Sequence, residues 1–196
     1  MLYLITPIAA YLMGSVSSAI LISRLLGLPD PRTEGSRNPG ATNVLRLGST
    51  PGAVLTLAGD IAKGVLPVVA ARWILDEPVL LTLAALGAFL GHLFPAYFRF
   101  EGGKGVATAL GVLVVIDWQL APFLIATWLV VAATFRYSSL AALVTAAAAP
   151  LYLFWFTGEP VFVGLGIVLA VLLYFRHSKN IRRLLRGDEQ KIGKKN

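Results

Sequence analysis

Long runs of hydrophobic residues, without the alternation of apolar and polar positions typical of soluble folds, dominate this chain. Seven such runs cover about residues 2–28, 50–75, 79–98, 106–116, 119–135, 138–156 and 161–175. A run of about 20 apolar residues is long enough to cross a hydrocarbon core of ~30 Å as a helix. The pattern therefore predicts an all-α integral membrane protein, with seven transmembrane helices in a single domain over residues 1–196.

The composition agrees with this prediction and excludes several kinds of chemistry. Hydrophobic residues make up 57% of the 196 residues and charged residues only 14%, whereas about a quarter of a soluble domain is charged. The chain has no cysteine and only two histidines, His92 and His177. This excludes disulfides, cysteine nucleophiles and histidine-rich metal centres, and we expect no metal and no cofactor.

The positions of the basic residues predict the orientation. Short loops rich in Lys and Arg stay in the cytoplasm, and with the N-terminus outside, all of the 17 basic residues except Lys63 and Arg72 fall on one side or its helix ends. The cytoplasmic segments are then a long loop at about 29–49, a glycine-rich loop at about 99–105 and an amphipathic tail at about 176–196. The net charge of +7 thus follows from topology, so we expect bilayer lipid as a partner, no nucleic acid and no obligate protein partner.

The first long loop concentrates polar residues that could bind an anion: Ser36, Arg37, Asn38, Thr42, Asn43 and Arg46. Asn38 could cap a short helix with Pro39 at its first position. Thr42 and Arg46 would then share a face at i, i+4, with Asn43 at i, i+3 to the arginine. The alternative is a solvated connecting loop whose arginines only enforce topology.

The second loop places Gly102, Gly103, Lys104 and Gly105 directly before the fourth run. Glycine backbone, a helix N-terminus and a lysine together favour phosphate. It is not a Walker A loop, because Phe98 and Gly105 replace the residues that motif requires. The 11-residue fourth run spans only ~16 Å, which predicts that the loop is sunk into a pocket near the cytoplasmic face. The alternative is a flexible turn with a lysine that sets topology.

Other polar residues lie within or beside the apolar runs, and each has a structural alternative. Asp60 and Lys63 could form an ion pair that stabilises the bundle or serve function, and His92 is more typical of packing than of catalysis. Arg136 and Ser139 add a cation and a hydroxyl on the cytoplasmic side. In the tail, attraction to anionic lipid explains the basic residues, but not His177 and Asn180.

Taken together, these segments resemble a known family. Ser-Arg-Asn-Pro-Gly-Ala-Thr-Asn-Val-Leu-Arg at 36–46, Gly-His at 91–92 with Pro95, Gly-Gly-Lys-Gly-Val-Ala-Thr at 102–108, and His177 with Asn180, Ile181, Gly187 and Glu189 occur in this order. They are similar to the three cytoplasmic motifs of the bacterial acyl-phosphate:glycerol-3-phosphate acyltransferases, the PlsY family. The likeness extends over nearly the whole chain.

The resemblance implies transfer of an acyl group from acyl phosphate to the 1-hydroxyl of glycerol 3-phosphate, giving lysophosphatidic acid and phosphate. It places the enzyme in the bacterial inner membrane, with its site on the cytoplasmic side. It implies a catalytic set of Ser36, Arg37, Lys104, His177 and Asn180. The predicted substrate-binding set is Asn38, Thr42, Asn43, Arg46, His92, Gly102, Gly103, Gly105, Arg136 and Ser139, while Glu189 is assigned a structural role.

The residues also limit the mechanism. Acyl phosphate is already activated, so we expect direct transfer without a covalent acyl-enzyme, helped by cations and N–H groups. No Ser-His-Asp triad is legible. A substrate phosphate is favoured over His177 as the base, because no carboxylate is evident to orient the imidazole. A small-anion or phosphate-ester transporter is the alternative function, although the cations gather on one side only.

Overall fold

The computed structural model describes residues 1–193, which contain helices and turns but no β-strand. Residues 194–196 of the predicted tail lie outside the described residues. A 3₁₀ helix covers Ala96–Phe98. The α-helices are α1 (Leu2–Gly14), α2 (Ser18–Leu25), α3 (Ala41–Arg46), α4 (Thr50–Ile74), α5 (Pro78–Leu93), α6 (Val106–Ile116), α7 (Leu120–Phe135), α8 (Ser138–Thr157), α9 (Pro160–Arg176) and α10 (Ser178–Arg186).

All seven predicted apolar runs are helical, but they differ in length. Within residues 1–193, the helical segments Leu2–Leu25, Thr50–Ile74, Pro78–Phe98 and Ser138–Thr157 are long and apolar enough to cross a bilayer. Helices α9 and α10 meet at 63° and would make a fifth crossing if counted as one broken span. The apolar helices α6 and α7 are shorter, with 11 and 16 residues.

The first predicted span is not the single helix expected over 2–28, and that prediction was wrong. Helix α1 ends at Gly14, and Ser17 is extended before α2 begins. Ser15 Oγ donates to the Tyr11 carbonyl oxygen at 2.8 Å, and Lys63 Nζ donates to the Val16 carbonyl oxygen at 2.9 Å. Because Lys63 satisfies a carbonyl at the break, the interruption needs no water inside the apolar bundle.

The third run, expected to be helical to Phe98, leaves the α-helix earlier, since α5 ends at Leu93. Pro95 explains the difference, because a proline disfavours helical geometry in the residue before it and has no N–H to donate. The Phe94 carbonyl oxygen instead accepts a hydrogen bond from Tyr11 Oη at 2.7 Å. The chain then forms the 3₁₀ turn that leads to the glycine-rich loop.

The chain divides into two compact units, Met1–Ile116 and a second that begins at Asp117. In the first unit, α5 packs against α1 and α4, and α4 against α6. The closest approach is at Gly14, where a Cβ would collide with the Ala88 backbone, as small residues permit between membrane helices. In the second unit, α8 packs between α7 and α9, with the Phe123 and Phe156 rings 4.9 Å apart.

Candidate active site

In the first unit, the side chain of Asn43 organises the long loop. Asn43 is buried in α3; its Oδ1 accepts from the Ser36 N–H at 2.8 Å, and its Nδ2 donates to the Pro31 and Glu34 carbonyl oxygens at 2.8 and 3.1 Å. Both amide hydrogens are therefore committed to loop backbone. Asn43 does not share an exposed face with Arg46, as the spacing had suggested, but fixes the segment that carries Ser36.

The predicted cap at Asn38 is wrong, because α3 begins at Ala41 with Gly40 as its N-cap and no side-chain cap bond. Two backbone conformations account for the late start. Arg37 is left-handed, with φ 55°, and Gly40 is extended, with φ −166°. Thr42 and Arg46 still lie one turn apart on α3, as their i, i+4 spacing predicts, and both are exposed.

The long loop and the glycine-rich loop contact each other. Arg32 donates to both oxygens of Asp30 and lies 3.4 Å from Glu101 through Nη1. The side-chain hydrogen bonds from Arg32 hold the pKa of Asp30 below its ordinary value. Arg32 thus connects the segment before Ser36 to the segment before Gly102.

The glycine-rich loop is tightly packed at Gly103. Its N–H donates to the His92 carbonyl oxygen at 3.1 Å. A Cβ at Gly103 would lie 2.8 Å from the Pro39 carbonyl oxygen and would also collide with Nε2 of His92. Only glycine fits between the first loop and α5, which explains why this residue type stands here. Lys104 is half-buried, and Gly105 has a positive φ of 86° where the chain enters α6.

The glycine-rich loop lies well along α4 rather than at its end. His92 Nδ1 is 3.7 Å from Asp60 Oδ1, and Thr108 Oγ1 donates to the Asp60 carbonyl oxygen at 3.0 Å. Asp60 is ten residues into the 25-residue α4, roughly 15 Å along its axis. Because Thr108 lies only two residues into α6, Lys104 and the N-terminus of α6 lie alongside the body of α4 rather than at its end.

In the second unit, His177 stands at the bend between α9 and α10. It is 2% exposed, and its Nδ1 lies 2.9 Å from the Leu173 carbonyl oxygen. A carbonyl can only accept, so this hydrogen bond requires the proton on Nδ1. A backbone carbonyl therefore orients the imidazole, although no carboxylate was recognised for this task in the sequence.

Asn180 and Ser139 share a carboxylate that the sequence had marked as structural. Oε1 of Glu189 accepts from Asn180 Nδ2 at 2.6 Å and from Ser139 Oγ at 2.7 Å. Arg136 meets the same tail, because its Nη2 donates to the Ile192 carbonyl oxygen at 3.1 Å. Ser139 and Arg136 thus hold the chain after α10, a role that sequence spacing had not suggested.

Two features of the candidate site were missed in the sequence. One is the orienting of His177 by the Leu173 carbonyl, which its i, i+4 spacing could have suggested. The other is the contact of His92 with Asp60, residues 32 positions apart that no local pattern connects. No group of three His, Asp or Glu residues within 1–193 is arranged to hold a metal ion.

Comparisons with known proteins identify the same family over nearly the whole chain. The family model of glycerol-3-phosphate acyltransferase matches residues 4–187. A glycerol-3-phosphate acyltransferase of Thioalkalivibrio sulfidiphilus is 57% identical, over 96% of this chain and 93% of its own. One of Methylococcus capsulatus is 51% identical, over 98% and 97%.

Solved structures are similar as well. A crystal structure of PlsY, an integral membrane glycerol 3-phosphate acyltransferase in its glycerol 3-phosphate form, matches with a TM-score of 0.92 and 39% identity, covering 97% of this chain and 96% of that one. The lysophosphatidic acid form matches with a TM-score of 0.90 and 38% identity, covering 97% and 95%.

Proposed function

The chain belongs to the glycerol-3-phosphate acyltransferase family of membrane proteins, and from this premise we propose that its acyl donor is an acyl phosphate. The acyl group passes to the 1-hydroxyl of glycerol 3-phosphate, and lysophosphatidic acid and inorganic phosphate leave. Both substrates carry phosphate, and the site offers cations and a helix N-terminus to receive it. The observation that carries the proposal is the buried glycine-rich loop, packed on His92 and leading through Lys104 into α6.

We propose that this loop binds glycerol 3-phosphate. Lys104 supplies a full positive charge, and the aligned peptides of α6 add partial positive charge at its N-terminus. The loop backbone lies against α5 because Gly102, Gly103 and Gly105 have no side chains. His92 on α5 contacts Gly102 and Gly103. Lys104 therefore neutralises the substrate phosphate, while the glycines set the depth at which it is held.

We assign the first of the three motifs, residues 36–46, to binding of the acyl phosphate. Ser36 and Arg37 stand on the segment fixed by Asn43, and the left-handed backbone at Arg37 turns its exposed side chain away from the loop interior. Thr42 and Arg46 provide a hydroxyl and a cation one turn apart on α3, with Asn38 beside Gly40. In this proposal Asn43 acts on the substrate only by positioning Ser36.

In the second unit, we assign His177 and Asn180 to the same reaction through the third motif. Ser139 and Arg136, expected to bind substrate, are assigned a supporting role because their side chains contact Glu189 and Ile192. We keep the substrate phosphate as the base that accepts the proton of the 1-hydroxyl. Because acyl phosphate is already activated, the hydroxyl attacks its carbonyl carbon directly, inorganic phosphate leaves, and no covalent acyl-enzyme forms. The orientation of His177 by Leu173 makes the imidazole the competing base, and the pH profile of an alanine variant separates the two.

We propose that all seven apolar segments cross the inner membrane of a bacterium as one domain, with the N-terminus outside and the active site on the cytoplasmic side of the membrane. The distribution of basic residues supports this orientation. Helix α10 carries Lys179, Arg182, Arg183 and Arg186, all exposed, and its 63° bend from α9 suits a helix lying among anionic headgroups. No cofactor, nucleic acid or obligate protein partner enters the proposal.

One experiment tests the donor and the class of protein together. Purified protein is mixed with palmitoyl phosphate and glycerol 3-phosphate, without coenzyme A or carrier protein, and released phosphate and lysophosphatidic acid are measured. Equal amounts of both products support the proposal. Turnover that appears only with an acyl thioester would refute acyl phosphate as donor. Uptake of labelled glycerol 3-phosphate into proteoliposomes without product would instead indicate the transporter.

A further inference from the structure

Three buried ionisable side chains lie next to the glycine-rich loop, on the helices that pack against it. Asp60 and Lys63 on α4 form an ion pair, with Lys63 Nζ 3.0 Å from Asp60 Oδ1. His92 on α5 brings Nδ1 to 3.7 Å from the same oxygen. The three residues are only 3%, 8% and 6% exposed, so the charges are surrounded by protein in the interior of the first unit.

This group contacts both ends of the segment that joins the loop to α6. At Gly103, the loop N–H donates to the backbone oxygen of His92, and the Nε2 edge of the same imidazole lies against the glycine. At Thr108, the hydroxyl donates to the backbone oxygen of Asp60. Residues 103–108, with Lys104 between these contacts, are therefore held by His92 on α5 at one end and by Asp60 on α4 at the other.

Stability of the bundle is not a sufficient reason for these charges. Burying an ion pair costs about as much desolvation as its attraction returns, and apolar residues of similar volume often stabilise a fold as well or better. A charged pair can, however, fix the orientation of its side chains. Lys63 orients the Asp60 carboxylate, and that carboxylate faces one edge of the His92 ring. The other edge of the ring then lies in a fixed place against Gly103.

We propose that Asp60, oriented by Lys63, is a positioning residue for the acyltransferase reaction. Its carboxylate acts through His92 and its backbone oxygen through Thr108 to hold the glycine-rich loop in its substrate-binding conformation. The inference rests on the proposed binding of glycerol 3-phosphate by that loop. A loop that is already ordered binds without an ordering cost, whereas a loosened loop must be ordered by its substrate. Loss of the group therefore raises the KM for glycerol 3-phosphate more than it changes kcat.

The first variant is Asp60→Asn, which removes the charge without changing the size of the side chain. The contact weakened is the 3.0 Å ion pair with Lys63, which orients the carboxylate toward His92. One such charged contact corresponds to roughly tenfold in binding, so the KM for glycerol 3-phosphate is expected to rise by up to about that much, with kcat and the KM for acyl phosphate changed less than about threefold. The matched control is Asp76→Asn, which removes the exposed ion pair of Arg72 and Asp76 at the far end of α4. The control should leave all three constants unchanged.

A second variant separates positioning from packing. The double substitution Asp60→Leu with Lys63→Met replaces the charges by apolar side chains, so the bundle has no unpaired buried charge. It also removes the hydrogen bond from Lys63 to the Val16 carbonyl oxygen, and thermal unfolding measures the cost of that loss. If the ion pair only held helices together, this variant would have the wild-type KM, and the inference would be overturned. A KM that stays high in a variant with wild-type thermal stability supports it.

A third variant decides the question if neither of these folds. Thr108→Val removes one hydroxyl at nearly constant volume, and a raised KM for glycerol 3-phosphate is again expected, while an unchanged KM overturns the inference. Lys104→Ala tests the premise separately. If Lys104→Ala leaves that KM unchanged, the proposed role of the loop fails; if it raises the KM and Thr108→Val and Asp60→Asn do not, only the positioning role fails.

Discussion

Replacing Glu189 with alanine should destabilise the second unit by an amount that its hydrogen bonds define. Glu189 is 8% exposed and follows Gly187, whose left-handed φ of 76° turns the chain back after α10. Its Oε1 accepts both from Asn180, on α10, and from Ser139, on α8. Alanine at this position removes the carboxylate that accepts from the buried Ser139 hydroxyl and from the half-buried Asn180 amide, and with it a side-chain link between the return segment and two helices.

The magnitude follows from the two contacts. A hydrogen bond to a charged group contributes about 1.5–3 kcal/mol. We take the lower end for each, or about 3 kcal/mol in all, because truncation also removes the cost of burying the carboxylate. At about 2–4 °C per kcal/mol for a chain of this size, the midpoint of thermal unfolding should fall by about 6–12 °C. Glu189→Gln keeps an oxygen acceptor and should lose about half as much.

Thermal unfolding of the purified variants in detergent micelles measures the effect. Ser139→Ala, alone and combined with Glu189→Ala, forms a double-mutant cycle, and the coupling free energy between the two residues should be about 1–2 kcal/mol. Turnover at saturating substrate should fall along with stability in Glu189→Ala, because Asn180 loses its fixed orientation. Additive effects of the two substitutions, or a midpoint within about 1 °C of wild type, would refute the shared carboxylate.

Three further outcomes test the assigned roles. Lys104→Ala should raise the KM for glycerol 3-phosphate about tenfold or more with a smaller change in kcat, as steady-state phosphate release measures. His177→Ala, checked for folding by thermal unfolding, should retain measurable turnover if a substrate phosphate is the base; complete loss of turnover would make His177 the base. Arg182→Gln with Arg183→Gln should weaken the dependence of activity on anionic lipid in vesicles, since each basic residue gains about 1 kcal/mol there; an unchanged dependence would exclude α10 as the contact.

Length and hydropathy predicted helix α6 to the residue, whereas they missed the break between α1 and α2. Helix α6 is bounded by Gly105 and Asp117, residues that disfavour helix and are visible in the local sequence. The break also has a local signal, since α1 ends at Gly14 and three of the next four residues are serines, which disfavour helix, but this signal alone did not end the predicted span. The break is stabilised by a hydrogen bond from Lys63 to Val16, 47 positions away, and a hydropathy window around Val16 contains no information about Lys63.

In the candidate site, too, the sequence predicted residue types better than it predicted the contacts that those residues make. His177 and Asn180 were assigned to acyl transfer through the family resemblance, whereas residue types and spacing predicted Lys104 as a phosphate ligand. Residue types and spacing were not enough to decide which polar atoms would be engaged by the protein itself. Asn43 has donors and acceptors suited to a ligand, but three loop backbone groups use them, because buried polar backbone must find partners.

The position of the glycine-rich loop along α4 bears on whether the protein is an enzyme or a transporter. From Asp60, which lies beside the loop, α4 extends about 15 Å toward Thr50 and about 21 Å toward Ile74. Near the Ile74 end, Arg72 is paired with Asp76 at 3.2 Å, so that end offers an anion little net attraction. The long loop, with Arg37 and Arg46, follows α2 and leads into the Thr50 end. In the proposed binding mode, a phosphate ester is thus attracted from the Thr50 end of α4 and held partway along the helix. This asymmetry between the two ends favours a reaction with a lipid-borne partner over transport, which needs comparable access from both ends.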